Sequence, residues 1–152
     1  MRNRFLAFTF FILAACNTTG SPQVSSADLT GSFATDLNTF RTTAGRAPVQ
    51  VNGQLRLAAQ RHAEDMQRRG YFSHQSPGGP HGDDMSERIT TAGCGAGARA
   101  ENIAQGQRSE AAVFAAWRAS PGHRRNMLGA NYTQYGLGRS GDTWVLVFSN
   151  GC

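Results

Sequence analysis

The chain has 152 residues, of which 39% are hydrophobic, and this is enough for one domain with a hydrophobic core. Its formal net charge of +5 includes Arg2 and Arg4, and without them 13 arginines face 10 acidic residues. The chain has no lysine, and its arginines are scattered. Because nucleic-acid binding needs basic residues clustered on one face, the composition argues against a nucleic-acid partner. We also expect the protein to be a monomer.

Residues 1–15 have the layout of an export signal. Two arginines precede an apolar run at residues 5–15, which is too short to span a bilayer. The run ends in Leu13-Ala14-Ala15-Cys16, the lipobox pattern of bacterial lipoproteins, which predicts cleavage before Cys16 and attachment of acyl chains such as palmitate. Several acyl chains anchor a protein stably where one does not. The alternative is an ordinary secretory signal cut near Ala15.

The expected location is the bacterial cell envelope, with membrane lipid as a partner through Cys16. Asn17, rather than Asp, after the lipidated cysteine favours the outer membrane if the cell is Gram-negative. Residues 16–27 are small and polar and predict the lipidated cysteine followed by a flexible tether. The folded domain is expected over residues 28–152.

Two amphipathic helices are predicted first. Apolar residues recur with helical spacing over residues 28–43, namely Leu29, Phe33, Leu37 and Phe40. Gly45 ends this helix, and a second helix follows from an N-cap at Asn52 to a stop at Gly70. His62 lies on the apolar stripe of the second helix, so we interpret it as a hydrogen-bonded structural residue rather than a metal ligand.

The middle of the chain predicts a loop and a short helix. Residues 74–83 are rich in Gly, Pro and His, which is typical of a loop. Asp84 and Glu87 have the spacing of a capping box for a helix ending near Thr91, an interpretation that we prefer to metal binding at Asp83, Asp84 and Glu87. His81 is expected in an exposed turn rather than as a further ligand.

The second half of the chain predicts strands around one more helix. Residues 101–104 predict a short strand, and Ser109 predicts the N-cap of a helix that ends before Pro121. Two β-rich runs, at residues 132–139 and 143–149, flank a hairpin turn. Because helices and antiparallel strands are segregated rather than alternating, the fold class is α+β.

Cys94 and Cys152 are the cysteines that remain once Cys16 carries lipid. An exported compartment permits disulfides, so we expect these two residues to pair. The alternative is that one or both thiols are free or paired between molecules.

Three segments in fixed order carry a family resemblance: SHQSP at residues 73–77, AENIA at 100–104 and WRASPGHRRNML at 117–128. They resemble the CAP superfamily of cysteine-rich secretory, antigen 5 and pathogenesis-related-1 proteins, especially its bacterial branch. Flanking matches extend the resemblance over roughly residues 33–149, and they are Asn38, Arg41, Gly45, residues 55–63, Gly136, Gly138, Trp144 and Phe148. The resemblance implies an α-β-α sandwich with a small antiparallel sheet.

The resemblance also implies a cleft at the sheet edge, lined by two histidines and two glutamates. His74 matches the first histidine, Glu101 the first glutamate and His123 the second histidine. The position of the second glutamate is occupied by Ser120, so the set is reduced to three. Two imidazoles and one carboxylate suit Zn²⁺ or another divalent cation, although the resemblance requires no cofactor.

Each of these residues has a simpler interpretation. The alternatives are that His74 caps a turn, that Glu101 pairs with Arg88 or Arg99, and that His123 caps the short helix that follows it.

Binding is the function that the sequence favours over catalysis. Most members of the family that the chain resembles are binding modules for ligands such as cations, lipids, sterols or peptides. A hydrolase using His74, Glu101 and His123, with Ser120 as a candidate nucleophile, is the alternative. The chain has neither an HExxH segment nor a GxSxG segment. A passive envelope or adhesion module is the third possibility.

Overall fold

The computed structural model describes residues 31–152, and the predicted signal peptide, Cys16 and the tether lie outside these residues. The elements in chain order are α1 (Gly31–Thr43), β1 (Gln50–Val51), α2 (Gly53–Arg69), α3 (Met85–Thr91), β2 (Arg99–Gln105), α4 (Glu110–Ala119), α5 (Pro121–Met127), β3 (Gln134–Ser140) and β4 (Thr143–Ser149). Within the described part of the chain, no helix has both the length and the apolar character needed to cross a membrane.

The four strands form one mixed sheet in the order β1-β3-β4-β2. β4 pairs antiparallel with both β2 and β3; its pairing with β3 is the predicted hairpin, whose turn lies at residues 141–142. The two-residue strand β1 pairs parallel with β3 and was not predicted, because two residues are too few to show a periodic pattern. β2 is an outer strand and therefore lies where side chains from other elements can reach it.

Helices cover both faces of the sheet, which gives the expected α-β-α sandwich. On one face the core contains Phe33, Leu37, Phe114 and Trp117 from α1 and α4, packed with alternate residues of the strands. On the other face it contains residues of α2 and α3, among them Leu55, Ala59, Met66 and Ile89. Apolar burial on both sides of one sheet is the main stabilising contribution in such a layered domain.

Glycines in β3 allow α2 to lie directly on the sheet. A Cβ built on Gly136 would lie 2.2 Å from the backbone of Leu55, and one built on Gly138 would lie 2.3 Å from the backbone of Gln60. Any side chain at these positions would push α2 outward. α2 carries residues that hold the loop of the candidate site. The close approach of α2 to the sheet therefore fixes the position from which this loop starts.

The predicted helix ends are confirmed. Asn52 Oδ1 accepts from Gln54 N and Leu55 N, and Gly70 ends α2 with a φ of 69°. At α3, Asp84 Oδ1 accepts from Glu87 N over 2.9 Å. The Glu87 carboxylate accepts from Asp83 N, one residue before the position that the capping box predicts.

The predicted disulfide between Cys94 and Cys152 is present. Two further hydrogen bonds join the residues beside it, from Gly95 N to Gly151 O over 2.7 Å and from Ala98 N to the Asn150 side chain over 2.8 Å. The end of the chain is therefore fastened to the loop that precedes β2.

Candidate functional site

His74 lies in the loop after α2, and its backbone is held on both sides. His62 Nε2 donates to Ser73 O over 3.0 Å, and Arg88 Nη2 donates to His74 O over 2.9 Å. His62 is buried on α2, and desolvation lowers its pKa, so it is a neutral donor at neutral pH. The structural role predicted for His62 is confirmed, and that role is to position the residue before His74.

Glu101 lies on β2 and points at the same loop. Its side chain is 3% exposed and accepts from His74 Nδ1 over 2.8 Å. Arg88 Nη2 donates to both carboxylate oxygens, over 3.2 and 3.0 Å. Of the alternatives for Glu101, pairing with Arg88 is therefore confirmed, whereas pairing with Arg99 is not.

The charge state of Glu101 follows from these partners. Burial alone would raise its pKa, but the hydrogen bond from His74, the charge of Arg88 and, in acid, the charge of protonated His62 outweigh burial and hold the pKa below its ordinary value. Glu101 is therefore a carboxylate at neutral pH. A carboxylate can only accept, so His74 Nδ1 carries the proton of this bond, and Nε2 is the acceptor of the neutral ring.

His74 is open to solvent, unlike its partners. Its side chain is 52% exposed, whereas the side chains of Glu101 and Arg88 are 3% exposed. A cavity of about 350 Å³ opens beside it, lined by His74, Gln75, Asp84, Met85, Ser86 and Glu101. The arrangement presents an oriented imidazole at the wall of a cavity large enough for a small ligand.

His123 lies inside α5 rather than at its cap, and two asparagines tie that helix to β2. Asn126 Nδ2 donates to Glu101 O over 3.2 Å and to Asn102 Oδ1 over 2.8 Å. Asn102 Nδ2 donates in turn to His123 O over 3.1 Å. Burial lowers the pKa of His123, and the charge of His74 lowers it further. The two imidazoles therefore lie within electrostatic range of each other.

Ser120 and His123 are not among the residues that line the cavity beside His74. Ser120 ends α4 and begins α5, and its hydroxyl makes no capping hydrogen bond. The structure thus brings His74 and Glu101 into direct contact and places His123 nearby on a separate helix. His81 lies in the loop before α3 and is not a lining residue either.

The structure gives no support to the predicted metal set of His74, Glu101 and His123. Within residues 31–152, no group of three or more His, Cys, Asp or Glu side chains is arranged to hold a metal ion. Three of the roughly four lone-pair positions of the Glu101 carboxylate already accept hydrogen bonds from Arg88 and His74. A zinc ligand must offer a free lone pair, so Glu101 orients an imidazole here instead of serving as a third ligand.

A second buried carboxylate, that of Asp65, holds the other end of the same loop. No sequence motif indicated it. Asp65 on α2 accepts from Ser76 Oγ over 2.7 Å and from Tyr71 Oη over 2.7 Å. Arg68 and Arg69 form ion pairs with it over 2.6 and 3.0 Å. The sequence did contain a signal for this network. An acidic residue lies one helical turn after His62, and arginines follow it at the third and fourth positions.

Comparisons with known proteins place this architecture. The model of the cysteine-rich secretory protein family, CAP, matches residues 35–148. The uncharacterized protein YkwD of Bacillus subtilis (strain 168) is 38% identical over 115 residues, which are 73% of this chain and 43% of that protein. The uncharacterized membrane protein YlbC of the same organism is 31% identical over 101 residues, 66% of this chain and 28% of that protein. The chain spans less than half the length of these curated relatives.

Solved structures show the same fold. An extracellular protein containing an SCP domain from Bacillus anthracis str. Ames superposes with a TM-score of 0.72 at 23% identity, covering 85% of this chain and 45% of that one. An outer surface protein from Borrelia burgdorferi gives a TM-score of 0.68 at 17% identity, covering 81% of this chain and 96% of that one. The family model covers most of the chain and includes all three motif segments. The chain therefore belongs to the cysteine-rich secretory protein family, CAP.

Proposed function

We propose that the protein is an exported, membrane-anchored lipoprotein whose CAP domain binds a small ligand without turning it over. His74 is the contact residue of the site, Glu101 orients its ring, and His123 adds a second imidazole nearby. The ligand occupies the cavity of about 350 Å³ beside His74. A metal ion held by three protein ligands is not part of this proposal, because Glu101 is engaged with Arg88.

The observation that carries the proposal is the Arg88–Glu101–His74 arrangement. A general base needs a pKa near the working pH and a free lone pair directed at its target. The pKa of Glu101 is held below its ordinary value, and its oxygens accept from Arg88 and His74. A fixed, half-exposed imidazole at a cavity wall suits hydrogen bonding to a ligand, as donor or acceptor according to its protonation.

Hydrolysis by the same residues has less support. The candidate nucleophile Ser120 does not line the cavity that His74 and Glu101 line. A nucleophile and its base must lie within hydrogen-bond reach, and no hydrogen bond joins Ser120 Oγ to His74 or His123 within the described residues.

The anchor part of the proposal rests on the sequence. The segment Leu13-Ala14-Ala15-Cys16 predicts lipidation, and the pairing of Cys94 with Cys152 agrees with an oxidising compartment. Two proteins of the same fold are named as extracellular and as an outer surface protein. We expect Cys16→Ser to move the protein out of the membrane fraction, and wild-type protein with an unmodified Cys16 would exclude the anchor.

One experiment separates binding from catalysis at the cleft. Wild-type protein, His74→Ala and the control His81→Ala are compared in a fluorogenic peptide turnover assay and in a small-fragment screen followed by ¹⁵N NMR. We expect no His74-dependent turnover, and fragment-induced shifts at residues 74–76 and 101 that His74→Ala removes and His81→Ala keeps. Turnover that disappears only in His74→Ala would establish the hydrolase instead, and identical fragment shifts in all three proteins would indicate a passive module.

A further inference from the structure

A second cavity adjoins the cleft beside His74. It has a volume of about 450 Å³ and is lined by Ser86, Thr90, Arg99 and residues 94–97. Ser86, in the first turn of α3, also lines the cavity beside His74. Both volumes lie in the range of ligand pockets. The two cavities share Ser86 as a lining residue and are therefore neighbours along α3.

β2 supplies one polar residue to each cavity. Arg99 lines the second cavity and Glu101 lines the first, and they are alternate residues of the same strand. Side chains two residues apart on a strand point to the same face, with Cα atoms roughly 7 Å apart. A ligand that contacts both His74 and Arg99 has to extend from one cavity into the other.

Arg99 forms no ion pair with an acidic group of the described chain. Its guanidinium donates to neutral acceptors, over 2.7 Å to Ser86 O, over 3.2 Å to Thr90 Oγ1, and to Gly95 O. The ion pairs within residues 31–152 involve Arg68, Arg69, Arg88 and two histidines, and none includes Arg99. Glu101, two residues along, is already paired with Arg88.

The guanidinium of Arg99 is also held in place with donors left over. Three of its five N–H groups are used in these bonds, and Nε is buried without a partner within the described residues, so one N–H of Nη1 remains for a ligand. Three acceptors fix the plane of the group, so little rotamer freedom remains to be lost when an anion binds. Such a preorganised cation matches the chemistry of a carboxylate.

We propose that the second cavity is an anion subsite and that the two cavities together take a short extended peptide, with a carboxylate at Arg99 and a polar group at His74. This proposal rests on the proposed function, because it extends the same site. Besides Arg99, the second cavity is lined by Ser86, Thr90 and residues 94–97, which carry hydroxyl and backbone polar groups. Hydroxyl and backbone groups of this kind match the alternating donors and acceptors of a peptide main chain.

Three probes test the proposal by ¹⁵N NMR on the full-length chain carrying Cys16→Ser. They are acetyl-tetraalanine with a free carboxy terminus, its carboxy-terminal amide, and the amide with one alanine replaced by glutamate. We expect the free acid to shift residues 74–75 and residues 86–99 together and to bind about fivefold tighter than the neutral amide. If the glutamate peptide equals the free acid, a side-chain carboxylate serves as well as a chain end.

Two variants and two controls locate the effect. Arg99→Gln should remove the preference for acid over amide, and Ser86→Trp should block the junction while leaving the backbone oxygen that Arg99 uses. Arg118→Gln and Thr43→Trp are matched changes at exposed positions on α4 and α1, in the opposite helical layer, and should leave both peptides unaffected.

Three outcomes would overturn the proposal: equal binding of acid and amide, shifts confined to one cavity, or no shifts at millimolar peptide. The same result for Ser86→Trp and Thr43→Trp would overturn it as well. These failures differ from failure of the proposed function, which shows as His74-dependent turnover or as the absence of His74-dependent fragment binding.

Discussion

Two buried carboxylates flank the loop that carries His74, and they are held in different ways. Asp65 receives its partners from residues 68–76, which lie close to it along the chain. Glu101 receives its partners from α3 and from the loop, 13 and 27 residues away. The two carboxylates therefore have different structural roles. Asp65 fastens the following loop to its own helix, whereas Glu101 joins three elements and orients an imidazole at the wall of a cavity.

The two carboxylates also differ in whether a partner lines the cavity. Asp65 has exposed partners, Arg68 and Arg69, and its pKa is lowered to about 2 by hydrogen bonds from Ser76, Tyr71 and Arg69 that outweigh burial. Glu101 is equally buried, and one of its partners, His74, is half exposed. His74 lines the cavity beside it and the partners of Asp65 do not, so a ligand in that cavity can influence Glu101 through His74 but does not contact the Asp65 network.

Among the variants that test this difference, replacement of Arg88 should cause the largest loss of stability. Arg88→Met leaves Glu101 buried without its cationic partner, and we expect unfolding free energy to fall by about 3–5 kcal/mol, as is usual when one partner of a buried pair is lost. The measurement is urea unfolding at neutral pH. The pKa of Glu101 should also rise, because the charge of Arg88 holds it down.

The control for Arg88 is a double variant. Arg88→Met with Glu101→Gln removes the uncompensated charge and should recover a large part of the loss. A loss below about 1 kcal/mol in the single variant would mean that the ion pair with Glu101 is not a structural link between α3 and β2.

Asp65 gives the second largest effect, and it appears as acid sensitivity. The carboxyl has a native pKa of about 2 against a reference value of 3.8. A carboxyl whose pKa is lowered on folding stabilises the fold above its unfolded pKa and loses that contribution as the pH falls towards the native value. This difference corresponds to about 2 kcal/mol, lost between roughly pH 5 and pH 2.

Asp65→Asn should remove this part of the acid sensitivity and lower stability at pH 7 by a similar amount. The measurement is the unfolding midpoint as a function of pH. Asp142→Asn, at the exposed hairpin turn, is the matched control and should leave the profile unchanged. An Asp65 variant with the wild-type profile would mean that the network does not stabilise the loop.

The same comparison explains how much the sequence could predict. Periodicity and capping residues depend on neighbours in the chain, so helices such as α2, with Asn52 and Gly70 at its ends, could be predicted with their bounds. The parallel pairing of β1 with β3 is a contact between distant residues, and no local pattern indicates it.

The candidate site divides in the same way. The motifs identified His74 and Glu101, and the pairing of Glu101 with Arg88 was one of two open alternatives. The direction of the Glu101 lone pairs depends on where α3 lies against β2, which spacing along the chain does not encode. The residue pattern offers Glu101 as a metal ligand, whereas in the fold its carboxylate is already bonded to Arg88 and His74.

Replacement of Asn126, which ties α5 to β2 beside Glu101, should cause a loss of stability of intermediate size. Asn126→Ala removes hydrogen bonds to Glu101 O and Asn102 Oδ1 and should cost about 1–2 kcal/mol. As α5 loosens from β2, His123 gains water, so its pKa should rise towards the ordinary histidine value, because burial now lowers it. NMR titration of His123 measures this shift. The exposed Asn131→Ala is the control, and an unchanged His123 titration in Asn126→Ala would contradict the positioning role.

His74 itself should give the smallest effect on stability. Its side chain is half exposed and makes one hydrogen bond to Glu101, so His74→Ala should cost less than about 1 kcal/mol, the usual net contribution of such a bond. His62→Ala is the matched comparison, since it removes a buried ring and the bond to Ser73 O, and it should cost about 2 kcal/mol or more.

The pH profile of His74→Ala carries the sharper test. The hydrogen bond from His74 is the largest of the contributions that lower the pKa of Glu101, so this pKa should rise in the variant. Wild-type Glu101 stabilises the fold above its unfolded pKa and loses this contribution as the pH falls through its lowered native pKa. His74→Ala should therefore show a smaller loss of stability below about pH 4.5 while keeping the part that belongs to Asp65. If His74→Ala instead costs as much as His62→Ala at pH 7, the imidazole is a structural element of the loop rather than a group presented to a ligand.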